Sequence, residues 1–200
     1  MKILFILLLG GLVAACANTN SNTDNTDNAD AATAEMSEKD KALSCLLRWD
    51  MSFYAYTMRS AGGTQSQAIE ELNNWYGESH FIAKEIRPAT NIVYGLKDIK
   101  TDPVHALGDS LKPGFQECLT EKSMADSSPY LARCLDMGIY ITYVASAKSR
   151  QLSKQQVIDQ LSPLTDHQHS IITQVYSSPQ YEAGVERMKL WGQCIQRFEG

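Results

Sequence analysis

The stretch SEKDKALSCLLRWDMSFYAYTMRSAGGTQSQAIEEL, residues 37–72, decides the fold. Leu43, Leu46, Leu47, Met51, Tyr54 and Met58 recur at three- and four-residue spacing, which is the mark of one buried helical face. Ser37, followed by Glu38 and Asp40, is a start signal, and the pattern runs to about Ser60. Gly62-Gly63 then break it. Thr64-Gln65-Ser66-Gln67 follow as a capping box, in which the hydroxyl and the glutamine three residues on satisfy each other's free backbone amides.

The same grammar continues outward from this stretch. Ser153-Lys154-Gln155-Gln156 is a second capping box. Asp102-Pro103, Ser128-Pro129 and Ser178-Pro179 each set an N-cap ahead of a proline at the first helical position. Breaks are expected at residues 73–77, Pro88, Pro113-Gly114 and Ser162-Pro163. Residues 138–143 alternate weakly, but a helix capped at Ser128 absorbs them better than a strand does. The expected fold is all-α, a disulfide-linked helical bundle.

An offset of 89 residues lays the second half of the chain on the first without a gap for about forty residues. Cys45 meets Cys134, Tyr54 meets Tyr143, Ser60 meets Ser149, Leu72 meets Leu161, and His80 meets His169. At a new offset of 76, Gly108 falls on Gly184, Phe115 on Trp191 and Cys118 on Cys194. We read two tandem helical repeats, at 37–120 and 121–200, packed as one globule with a pseudo-two-fold relation.

Ahead of the repeats, Lys2 and the apolar run from Ile3 to Val13 are too short to span a bilayer and have the proportions of a signal peptide. Leu12-Val13-Ala14-Ala15-Cys16 resembles the lipobox of bacterial lipoproteins: an aliphatic residue, two small residues that fit the signal peptidase, and the thiol that takes the lipid. That resemblance implies a signal peptide at 1–15, lipidation of Cys16 and, with Ala17 following, sorting to the outer membrane, where the periplasmic side is favoured. Residues 16–36 are rich in Asn, Thr, Asp and Ala and hold no aromatic residue, so they cannot bury enough apolar surface to order themselves. They read as a lipidated, disordered tether.

The net charge of −5 counts Lys2 and the tether acids Asp24, Asp27, Asp30 and Glu35; without these the body carries 17 bases against 19 acids. A near-neutral body without a Lys/Arg cluster argues against nucleic acid, whose recognition is dominated by phosphate neutralisation. The body holds Cys45, Cys118, Cys134 and Cys194, an even number, with no CxxC pair. In an oxidising compartment two structural disulfides are expected. All three connectivities are compatible with the repeat, but a single-copy ancestor could bond only within itself, which favours Cys45 with Cys118 and Cys134 with Cys194.

Chemical signatures are sparse. In Asp166-His167-Gln168-His169 the two histidines fall about 200° apart on a helix, poor geometry for a metal pair, so the segment reads as a solvated helix start capped by Thr165 or Asp166. No metal or cofactor is expected. Glu70-Glu71 and Asp159 read as solvated helical acids; Trp49, Trp75, Trp191, Tyr54, Tyr56, Tyr140 and Tyr143 could line a groove, but aromatic residues at helical spacing read first as core. His80, His169 and Trp75 are the candidate ligand-facing side chains. No GxSxG, HExxH, P-loop or dinucleotide fingerprint occurs, and no catalytic residue is nominated.

A cysteine at the head of a helix, Cys134-Leu135-Asp136-Met137-Gly138-Ile139-Tyr140, with a second cysteine near the end, is similar to the small helical periplasmic immunity proteins of the Rap1a/Tai type. The first repeat departs from it, with Trp49-Asp50-Met51 in the corresponding place. The resemblance implies a protein that blocks a toxin or hydrolase by binding it. The resulting expectation is a non-enzymatic, membrane-tethered binding module with a periplasmic protein partner. Behind it stand a structural or assembly lipoprotein of the envelope and, third, an unrecognised hydrolase.

Overall fold

The computed structural model describes residues 36–98, 104–179 and 181–198, which belong to one compact unit. The signal peptide at 1–15, Cys16, the tether as far as Glu35 and the Asp102-Pro103 cap lie outside the described residues. The helices are α1 (Glu38–Ser60), α2 (Gln65–Tyr76), α3 (His80–Ala83), α4 (Ile86–Tyr94), α5 (Val104–Glu121), α6 (Ser128–Ser149), α7 (Lys154–Leu161), α8 (Asp166–Ser177) and α9 (Ala183–Ile195). Single 3-10 turns lie at Ala125–Ser127 and Gln196–Phe198. Among the described residues there is no strand, so the chain is an all-α, disulfide-linked helical bundle.

Local chemistry starts these helices where the sequence places it. The Ser37 hydroxyl accepts from the Asp40 amide to open α1, and both expected capping boxes form, at Thr64 and at Ser153. Thr165 adds a third, with Gln168 as its partner, so Asp166 is the first helical residue of α8 and not its cap. The Ser128-Pro129 start is displaced by one residue: Ser127 is the N-cap and Ser128 already helical.

Two prolines expected to interrupt helices do not. Pro88 occupies the third position of α4, inside the first turn, where a backbone N–H would have no intrahelical partner to lose. Pro113 sits in the middle of α5. Its helix persists because Leu111, Phe115, Cys118 and Leu119 are all buried around it and Cys118 is bonded to α1. Ser178, expected to open the last helix, instead ends α8, and α9 begins at Ala183 behind Glu182.

Each half closes on its own disulfide. Cys45 of α1 pairs with Cys118 of α5 at a Cα separation of 5.4 Å, and Cys134 of α6 pairs with Cys194 of α9 at 6.3 Å. The two halves also repeat their polar contacts. After α1 the amides of Gly62 and Gly63 bond to the Arg59 and Met58 carbonyls; after α6 those of Gln151 and Leu152 bond to Lys148 and Ala147. Both are Schellman caps with the first of these residues in the left-handed region, Gly62 at φ 87° and Gln151 at φ 64°. Arg59 then donates to the Val93 and Leu96 carbonyls at the end of α4, and Lys148 to those of Val175 and Ser178 at the end of α8. The Tyr94 hydroxyl donates to the Gly63 carbonyl at 2.9 Å, and that of Tyr176 to Leu152 at 2.7 Å.

These contacts correct one register. They equate α4 with α8 at an offset of 82, not 89, so His169 corresponds to Arg87 and His80 has no counterpart. The first half carries seven extra residues between its second helix and α4, and α3 lies within them.

The buried core does not divide at the repeat boundary. One cluster gathers α1, α2, α4 and α5 with Leu131, Cys134, Leu135 and Ile139 of α6 and Trp191 and Ile195 of α9. The other joins the rest of α6 to α7 and α8, and Phe53 and Leu190 pack against both. Trp49 meets Trp191 edge-on at 6.2 Å. A Cβ at Gly138 would lie 2.8 Å from Trp191 Nε1, so only glycine leaves the indole room to donate to the Cys134 carbonyl.

Candidate functional site

An open groove of about 500 Å³ runs between the C-terminal half of α1 and the outer face of α2. Its floor is Met58 and the Ala61-Gly62-Gly63 cap, and its far wall is Gln67, Glu70 and Glu71. The glycine turn shapes this end: a Cβ on Gly63 would come within 2.9 Å of the Met58 carbonyl oxygen, and Gly62 adopts a left-handed φ. One helical turn further along, Tyr54 on α1 and Trp75 on α2 continue the two walls, because residues four apart stack on one helical face. Their rings meet edge-on with centroids 4.5 Å apart. Burial, and after it the Glu71 charge, push the Tyr54 phenol above its ordinary range.

Trp75 is 45% exposed, more than any other large apolar side chain among the described residues. Its indole meets Tyr54 edge-on and is otherwise close to half exposed. Glu70 and Glu71 are both exposed, as solvated helical acids should be, and both charged side chains lining the groove are carboxylates. Arg59, beside Met58, is held at the end of α4 by its bonds to Val93 and Leu96 and lies over the Tyr94 ring at 5.6 Å.

The second half answers each of these positions differently. Tyr143, the counterpart of Tyr54, is buried and donates to Gln160, the neutral counterpart of Glu71, at 3.1 Å. Ala147 stands fully buried where the first half has Met58; α7 ends at Leu161, the counterpart of Leu72, so the last turn of α2 that carries Trp75 has no helical counterpart, and Leu164, at the matching sequence offset, is half-buried in the following loop against the second core. The surface that is covered in one half is therefore open, acidic and aromatic in the other.

A second depression, of about 400 Å³, lies over α5, α6 and the start of α8. Gly108, Ile139 and Tyr140 form its base, and Lys112 bridges Asp136 at 3.0 Å across it. Burial raises the Tyr140 phenol to about 12.

The remaining candidates stay apart. His80 opens α3 and is exposed; His167 and His169 are exposed in the first turn of α8; none of the three lines either depression. Among the described residues no three His, Cys, Asp or Glu side chains converge as a metal site. Trp49, Trp191, Tyr56, Tyr140 and Tyr143 are buried, as expected of core aromatics. Of the groove, sequence reasoning offered Trp75 as ligand-facing and set Tyr54 in the core, whereas Tyr54 is only half-buried because its ring turns out against the exposed Trp75. The signal for the rest was the glycine turn between two capped helices, which sets Tyr54 and Met58 opposite Glu71 and Trp75.

Fold and groove thus define a class, an all-α bundle of disulfide-closed helical units with one open acidic and aromatic face. No family model, no curated protein and no solved structure matches the chain.

Proposed function

We propose that the chain is a lipid-anchored, non-enzymatic binding protein of the bacterial envelope, whose helical body engages a periplasmic protein such as a toxin or wall hydrolase. The observation that carries this reading is Trp75: a large, rigid, exposed side chain braced by Tyr54 at the edge of a groove, the kind of anchor that binding surfaces concentrate. Two disulfides suit an oxidising compartment. Among the described residues no helix is long and apolar enough to cross a membrane, and the lipobox at Cys16 supplies the proposed anchor. The outer membrane, reached through Ala17, is the proposed address.

Two experiments test the reading. Labelled palmitate should enter the wild-type chain and not Cys16→Ser; equal labelling removes the anchor. The full chain in detergent, immobilised and exposed to envelope extract, should retain one stoichiometric protein. Empty beads at micromolar bait would remove the tight-inhibitor reading. A set of envelope-assembly components would replace it with an assembly role.

A further inference from the structure

We propose that the groove between α1 and α2 receives a lysine- or arginine-bearing segment of the protein partner, the cation lying between the Glu70 and Glu71 carboxylates and the exposed indole of Trp75. This rests on the binding-module reading above and names the chemistry of its site.

Three observations converge on a cationic occupant. The groove's own charges are Glu70 and Glu71, and the nearest cation on α1, Arg59, is fixed at the end of α4. Beside them Trp75 offers an indole face, the best aromatic partner for an ammonium or guanidinium group, and Tyr54 holds the ring edge-on. Met58 on the floor gives the apolar stem of a long basic side chain a surface to lie along. An anionic lipid surface or an acidic peptide would meet two like charges in the same place.

The second half serves as an internal control. The halves share their Schellman caps, their cation on the last carbonyls of α4 and of α8 and their tyrosine-to-carbonyl bond. Where they part is at this face: Gln160 for Glu71, Ala147 for Met58, and a helix α7 that ends a turn before a counterpart of Trp75 could sit on it, with Tyr143 covered. Folding therefore does not require the Glu71 charge or the exposed indole, since the second half keeps only Asp159, at the position of Glu70, and closes without either.

The test uses the full chain in detergent micelles with hexalysine, hexaarginine and hexaglutamate as probes, at about 0.15 M salt so that loose surface attraction is screened. Trp49 and Trp191 are buried, so a change in tryptophan emission reports on Trp75. The basic peptides should shift that emission and bind by calorimetry, and hexaglutamate should not. The double variant Glu70→Gln/Glu71→Gln and the single Trp75→Ala should each weaken binding by about tenfold or more. Asp159→Asn, at the second-half position equivalent to Glu70, should leave it unchanged. Equal binding of hexaglutamate, or unaltered affinity in both groove variants with helix content intact, overturns the proposal. Capture from envelope extract separates the two readings. A partner held equally by wild type and both groove variants sinks the groove and leaves the binding module standing. Groove-dependent hexalysine binding with no captured protein does the reverse.

Discussion

Arg187 of α9 donates through Nη2 to the Asp50 carboxylate of α1, joining side chains 137 positions apart. Its Nη1 donates to the Thr142 hydroxyl of α6 at 2.7 Å, and its guanidinium lies over the rings of Trp49 and Trp191 at 5.9 and 5.4 Å. The Tyr76 phenol at the end of α2 shares the Asp50 carboxylate; burial first, and then that charge, hold it well above its ordinary range, with Arg187 opposing. Four helices from both halves thus meet on one ion pair; Arg187 Nε and Trp49 Nε1 make no hydrogen bond there, and the two indole faces lie against the guanidinium.

Arg187→Met should therefore cost about 3 kcal/mol, the lower end for a broken buried pair, because Asp50 keeps some exposure. Asp50→Asn in the same chain should recover part of that loss, since the uncompensated charge is then gone. Urea unfolding of the oxidised protein measures both. A loss below about 0.5 kcal/mol for Arg187→Met, the level of an ordinary surface change, would show that the halves adhere without the pair.

How much of this was legible in the chain depends on distance along it. Ser37, Thr64 and Ser153 announce their helices because capping is settled within three residues. The repeat allowed all three cysteine pairings, and only the argument from a single-copy ancestor favoured the pair of bonds observed. The Arg48 network was not: Nε donates to buried Glu85 at 2.6 Å, Nη2 to Glu121, and Lys122 reaches Glu85 at 2.8 Å, contacts spanning 37 and 73 residues that no local pattern encodes. Pro113 misled for the same reason, as tertiary packing of α5 outweighs the break its ring implies. The alignment of His80 with His169 was a coincidence of residue type, exposed only when the Tyr94 and Tyr176 bonds fixed the α4 register. Of the candidate groove, an unmatched tryptophan was visible, but its acidic wall read as ordinary solvated helix.

The Arg48 network gives stability an acid limb. A hydrogen bond from Arg48 holds Glu121 below its ordinary range, burial opposes it, and the charges of Arg48 and Lys122 add to it. A depressed folded value means the contribution is full above the unfolded value near 4.5 and disappears as pH falls through the folded one. Glu121→Gln should flatten the decline of the melting temperature below about pH 4.5. At the other end, the Tyr140 phenol, raised from 10.0 to about 12, favours folding fully below about pH 10 and less as pH climbs towards 12. Phenolate absorbance should show late-titrating tyrosines, and Tyr140→Phe should remove one of them while Tyr76 still titrates late. Titration of every tyrosine at the ordinary value would contradict that assignment.

Both disulfides close long loops, of 73 and 60 positions, so each removes a comparable amount of denatured-state freedom. The chain-entropy relation puts this at about 4 kcal/mol per bond. Cys45→Ala/Cys118→Ala and Cys134→Ala/Cys194→Ala should each lower stability by about that much, and removing all four cysteines should leave no cooperative transition, because small domains hold only about 5–15 kcal/mol in total. Loss of cooperativity from the first pair alone, with the second pair dispensable, would show that one half folds on the template of the other.

The two Schellman caps offer a reciprocal exchange. Gly62 and Gln151 occupy the same left-handed position, at φ 87° and 64°, and close the same pair of bonds to the preceding helix. Glycine enters that region freely, whereas a side chain meets the following carbonyl and raises the backbone energy by about 1–2 kcal/mol. Gln151 is exposed, and nothing stands within 4 Å of where a Cβ on Gly62 would point, so neither exchange disturbs packing. Gln151→Gly should therefore stabilise the protein by about 1 kcal/mol and Gly62→Gln should destabilise it by a similar amount, the glycine's greater freedom in the unfolded chain trimming both effects. Thermal melts of the two single variants and of the double exchange measure this, and the double should return close to wild type. If Gln151→Gly is instead destabilising, the glutamine makes a contact worth more than its strain, and the two caps are equivalent in shape but not in energy.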